Sequence, residues 1–126
     1  MATRKRRSTR GLTWLRVLTK DDLDALRSLL VRADEKRAEW EYKLHRGSII
    51  IYTPVIPWNP RTRKPDASMR YMDKSLRVVP TPGGPFQLEY MRHTGRWWPY
   101  FDATGNIKAI AKAIDDRALV PSDTHD

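Results

Sequence analysis

The chain contains no cysteine. Disulfides, thiolate metal sites and a cysteine nucleophile are excluded at once, and the fold must be held by packing and hydrogen bonds alone. Long hydrophobic runs are also missing. Uninterrupted aliphatic stretches stop at about three residues, as at Ile49-Ile50-Ile51, against the roughly 20 needed to cross a bilayer. The N-terminus is basic but no apolar segment follows it, so no secretory leader is expected. These absences lead to the expectation of a cytoplasmic protein without a membrane span.

Histidine is sparse. His45, His93 and His125 show neither H-x-H nor H-E-x-x-H spacing, so no metal site is expected. No glycine-rich phosphate loop is present either, because Gly83-Gly84 lies between prolines and reads as a turn. Pro65-Asp66 and Glu89 trace the outline of a metal-dependent nuclease, but Met91 stands where that pattern needs a lysine. No cofactor and no enzymatic activity are expected.

Acid is scarce relative to base. The chain of 126 residues has 24 Lys and Arg against 15 Asp and Glu, a formal net charge of +9. The excess is uneven, since Arg4, Lys5, Arg6, Arg7 and Arg10 occupy the first ten residues without one acid. A block of this kind repels itself and is expected to stay flexible until it meets opposite charge. Apolar content of 40%, with five Trp, five Tyr and two Phe, is enough for one packed domain. The expected organisation is a basic arm over 1–11, an α+β domain over 12–120 and a frayed acidic tail over 121–126.

Leu12 to Leu18 reads as a short strand. Thr19 reads as an N-cap followed by Asp21 and Asp22 in a first helical turn. Leu23, Leu26, Leu30, Ala33, Trp40 and Leu44 follow at helical spacing and predict one long helix from Lys20 to His45, closed by Gly47. Ile49 to Ile56 predicts a strand, Pro57 to Ser68 a loop, Met69 to Val79 a second strand and Pro80 to Pro85 a turn. Phe86 to His93 alternates cleanly and predicts a strand that returns through Thr94-Gly95 into Arg96 to Phe101. Asn106 reads as the cap of a second helix with Ile107, Ile110, Ala111 and Ile114 on one stripe. The fold class predicted is therefore a small α+β domain, an antiparallel sheet of about four strands with both helices on one face.

Three groups of residues carry the functional expectation. Arg4, Lys5, Arg6, Arg7 and Arg10 suit phosphate neutralisation. Trp58, Arg61, Arg63 and Lys64 place a ring beside three cations in one loop. Arg70, Tyr71, Arg92, Arg96 and Trp98 interleave cations with rings on the strands, the composition that holds nucleic acid by stacking and phosphate contact. Of the adjacent Trp97 and Trp98, one is expected in the core, because alternate strand residues point to opposite faces. Tyr90 shares a face with Phe86 and Leu88 and is expected to be buried. The expectation is a nucleic-acid-binding protein without catalysis, using the arm and a sheet face bare of helices. The alternative is an interaction module that docks on an acidic protein partner.

Overall fold

The computed structural model describes residues 16–118, which form a five-stranded antiparallel sheet, two α-helices and a small two-stranded ribbon. Helix α1 (Lys20–Ala33) begins where the sequence predicts. Thr19 is extended, its hydroxyl accepts from the Asp22 amide, and the Asp22 carboxylate accepts from the Thr19 amide at 2.9 Å, a reciprocal capping box. Arg16 adds an ion pair to Asp22 at 3.2 Å.

The helix ends early, at Ala33 rather than near His45. Asp34 takes an extended conformation, closes α1 through its amide to the Leu30 carbonyl, and accepts from the Lys36 amide to start a 3₁₀ turn over Glu35–Glu39. Trp40 and Leu44, predicted on the helical stripe, lie beyond this turn. Glu41–His45 forms strand β1, pairing in register with β2 (Ser48–Val55), so that Tyr42 faces Ile51 across the pair and Leu44 faces Ile49. Gly47 is thus a hairpin residue and not a helix cap. Arg46 and Gly47 have φ of 52° and 79°, the left-handed conformation that lets a two-residue loop follow the twist of its strands.

After β2 the chain makes the ribbon, β3 (Trp58–Asn59) with β4 (Lys64–Pro65), then a 3₁₀ turn at Ala67–Met69. It returns as β5 (Tyr71–Pro80), β6 (Phe86–Met91) and β7 (Trp97–Gly105), and closes with helix α2 (Ile107–Ala118). Sheet order is β1-β2-β5-β6-β7, every neighbour antiparallel. The expected meander is present with one strand more than the four predicted. Asn106 caps α2 by accepting from the Ala109 amide at 2.9 Å. The Leu12–Leu15 part of the predicted first strand, the arm and the tail lie outside the described residues. Arg16 to Leu18 carries no strand, and Leu18 docks by donating to the Gly47 carbonyl.

Both helices pack on one face. Leu26 and Leu30 of α1 and Ile110 and Ile114 of α2 share one core with Ile49, Ile51, Val78, Phe86 and Leu88. Each such side chain contributes roughly 1.5–3 kcal/mol by leaving water. In antiparallel order, the start of β2, the end of β5, the start of β6 and the end of β7 lie at the same end of the sheet, and these carry the buried positions. The helices therefore roof one end only. At the opposite end the same face continues through Thr53, Val55, Tyr90 and Tyr100, which stay partly exposed. None of the helices among the described residues is long and apolar enough to cross a membrane.

Candidate functional site

The unroofed end gathers the β2–β5 connection and the β6–β7 hairpin tip. The connection is expected as an irregular loop, but side chains tie it into an ordered ribbon. Asn59 donates to Asp66 at 2.9 Å and accepts from the Arg61 amide, while Asp66 also accepts from the amide and hydroxyl of Ser68. These bonds hold the Asp66 carboxyl below its ordinary pKa, the Ser68 hydroxyl contributing most. The tip is closed by a left-handed Arg63 at φ 57°, whose amide donates to the Asn59 carbonyl. Trp58 is left 62% exposed, and Arg61, Arg63 and Lys64 are exposed around it. Ile56 just before the ribbon, and Met69 and Tyr71 after it, are exposed as well.

Beside the ribbon lies a groove of about 1370 Å³ on the unroofed part of the helix-bearing face. Leu76 is partly exposed on its apolar floor, with the buried Leu88 and Ile114 beneath, and Trp40, Tyr90 and Tyr100 line it with rings. A β-bulge between Ile51 and Tyr52 bends the strands here, and Thr53 and Ser75 bond across it through their hydroxyls. Tyr90 and Tyr100 are 4.5 Å apart between ring centroids. Burial raises the Tyr100 phenol above its ordinary pKa, against the lowering effect of the nearby Arg117 charge. Lys74, Arg92, His93 and Arg117 are among the lining residues, against Asp73 as the acid.

Arg117 is held by Asp102 and by the Ala113 carbonyl, and lies 4.7 Å from the Tyr100 ring centroid. Arg92 lies 4.8 Å from the ring of Trp98. Both are cation–π distances.

The predicted strand residues therefore meet on a face other than the one expected. Trp98 is paired with Tyr90 and Tyr71 with Val55, which puts both on the helix-bearing face at its unroofed end. Trp98 is 42% exposed and Tyr71 51%. Arg92 and Arg96 flank the hairpin tip, bonded backbone to backbone. Arg70 lies outside the strands, at the end of the 3₁₀ turn, where it reaches Glu39 at 3.3 Å. Trp97 points to the opposite face and is half-buried, so neither tryptophan of the pair is a full core residue. Tyr90 is half-buried in the groove rather than fully enclosed.

The face bare of helices is not an open cationic platform. Arg77 and Lys43 are engaged within it, and Lys74 stands opposite Tyr52 at its edge near the ribbon end. Arg77 binds Glu89 at 2.6 Å and lies 4.8 Å from the Trp97 ring, and Lys43 lies 4.9 Å from Tyr52. Ile50, level with Lys43 on one side and Arg77 on the other, is only 7% exposed although no helix among the described residues covers it. Long cationic side chains lay their apolar stems over it while keeping charge in water.

Sequence reasoning missed the groove because three of its walls depend on tertiary placement: Trp40 after the early helix stop, Tyr100 beside Tyr90, and Ile114 and Arg117 at the end of α2. It also missed Arg37, which is 3% exposed and joins the 3₁₀ turn to α2 through Asp115 at 2.9 Å. Asp66 and Glu89 do not form a common site, since one is spent on the ribbon and the other on Arg77. Among the described residues, no group of three or more His, Asp or Glu side chains is placed to hold a metal ion. No known protein family matches the chain, and neither a curated protein nor a solved structure shows significant similarity to it.

Proposed function

We propose that the protein binds nucleic acid and does so through the unroofed end of its sheet, assisted by the basic arm. One observation carries this reading. Arg61, Arg63, Lys64, Lys74, Arg92 and Arg96 cluster at that end and form no ion pair among the described residues, whereas around the helices Arg16, Lys20, Arg37, Lys112 and Arg117 are paired with acids and the unpaired Arg27, Arg32, Lys36 and Lys108 have no comparable set of exposed rings beside them. Unpaired guanidinium and ammonium groups beside exposed rings suit phosphates and bases together. The arm, with five cations in ten residues, adds phosphate neutralisation that releases counterions without reading sequence.

This mechanism makes affinity fall steeply with salt and depend weakly on sequence. Replacing Arg4, Lys5, Arg6 and Arg7 with alanine weakens binding and lowers the slope of log K against log salt by about 3, at roughly 0.7–0.9 for each phosphate left without its cation. Fluorescence anisotropy of a labelled oligonucleotide across a salt series measures both. An unchanged slope removes the arm from the mechanism.

The exposed apolar side chains Ile56, Trp58, Met69 and Tyr71 favour a second reading, a module that docks on an acidic protein partner with an aromatic anchor. Absence of oligonucleotide binding at every salt concentration favours that reading over the first.

A further inference from the structure

Resting on the nucleic-acid reading, we infer that the groove beside Tyr90 and Tyr100 accommodates unpaired bases, so that the nucleic acid is single-stranded where it crosses this face. The groove combines an apolar floor with a cationic rim. Partly exposed Leu76 forms the open floor above the sealed Leu88 and Ile114, Tyr90, Tyr100 and Trp40 supply rings, and Arg92 brings positive charge to the lining. A nucleotide has the matching division, a flat base with apolar faces joined to a charged phosphate.

A duplex does not match it. Its base faces are stacked and its base edges paired, so it offers the groove only sugar and phosphate. Pressing phosphates against Leu76 and the faces of the rings strips them of water without a replacement hydrogen bond. An unpaired strand can turn its bases inward and leave its phosphates at Arg92 and the ribbon cations.

The dimensions favour a length of chain over a small molecule. The groove's 1370 Å³ exceeds the roughly 300–1,000 Å³ of small-molecule pockets. It borders Ile56, which leads directly into Trp58 and the cations of the ribbon, and it reaches Arg92 and His93 at the hairpin tip. A strand lying along it would touch both cationic clusters.

Three labelled probes of equal length test the inference with the full chain: a mixed-sequence single strand, the same backbone without bases, and a blunt duplex. At moderate salt the single strand binds at least about tenfold tighter than the abasic backbone, the scale of base–aromatic stacking, and tighter than the duplex. Tyr90→Leu, which keeps apolar bulk and removes the ring, costs affinity for the single strand and leaves abasic binding unchanged, with a thermal melt confirming that it folds. Equal binding of the base-bearing and abasic strands overturns the groove inference and leaves polyanion binding in place. So does a base preference that survives Tyr90→Leu but vanishes in Trp58→Ala, which assigns stacking to the ribbon. Failure of all three probes to bind overturns the nucleic-acid reading itself.

Discussion

The two ends of the sheet handle charge and apolar surface in opposite ways. Under the helices, Leu26, Leu30, Ile49, Ile51, Val78, Phe86, Leu88, Ile110 and Ile114 are sealed from water, and four of the neighbouring cations meet acids: Arg16 with Asp22, Lys20 with Asp24, Arg37 with Asp115, Lys112 with Asp116. At the other end, Ile56, Trp58, Met69 and Tyr71 stay exposed. There, the cations of the ribbon and hairpin tip sit near few acids, and Asp66 is occupied by its own turn. Packing and charge pairing are the ordinary means of stability. Their concentration at one end and relaxation at the other separates a part that folds the chain from a part available to a partner.

Substitutions sharpen this contrast. The largest expected effect is at Arg37, which ties the 3₁₀ turn to α2 and lies 5.5 Å from the Trp40 ring at the boundary between the two ends. Arg37→Ala leaves Asp115 without its partner, removes the weaker of two donors to the Leu30 carbonyl and costs about 2–3 kcal/mol, below the full penalty for a buried pair because Asp115 is partly exposed. Urea unfolding measures it, and a change under about 0.5 kcal/mol would deny Arg37 a structural role.

At Tyr42 the expected cost is smaller and depends on pH. Burial pushes its phenol up to about 12 from an ordinary 10.0, only partly opposed by Arg27 and Arg37. A raised folded-state pKa means that its contribution is complete below pH 10 and declines as pH rises from there toward 12. Tyr42→Phe removes the hydrogen bond to the Arg37 carbonyl, about 1 kcal/mol at neutral pH, and removes this alkaline decline. Unfolding curves of both proteins between about pH 9 and about 12 test the sign.

The smallest stability change comes from the ribbon. Replacing Arg61, Arg63 and Lys64 together with alanine shifts stability by no more than about 0.5 kcal/mol, since exposed side chains away from packing contribute little. It nevertheless lowers oligonucleotide affinity. Reversal of this pattern, a destabilised fold with unchanged binding, would break the division between the two ends.

Local signals were legible in the sequence where the chemistry is local. The Thr19 cap, the Thr94-Gly95 hairpin and the Asn106 cap depend on residues within a few positions of one another, and all three occur in the fold. Trp40 and Leu44 show the converse. They continue the helical spacing of Leu26 and Leu30, yet Tyr42 and Leu44 fit strand alternation equally well. Asp34, with a side chain able to cap a new turn, settles the ambiguity in favour of leaving the helix. The face assignment of Trp97 and Trp98 depends on register with β6, and the groove depends on where α2 stops short of the strand ends. Neither quantity is local. The ribbon was half legible: its cations and Trp58 are plain in the sequence, whereas the Asn59–Asp66 bond that orders them spans a seven-residue separation.

Amide chemical-shift mapping with a short single-stranded oligonucleotide locates the binding surface residue by residue. Perturbations concentrated in residues 56–75 and 90–100, with Lys43, Tyr52 and Arg77 on the opposite face unaffected, are the predicted result. Perturbations centred on that opposite face, or on the solvent side of α1, would contradict the account.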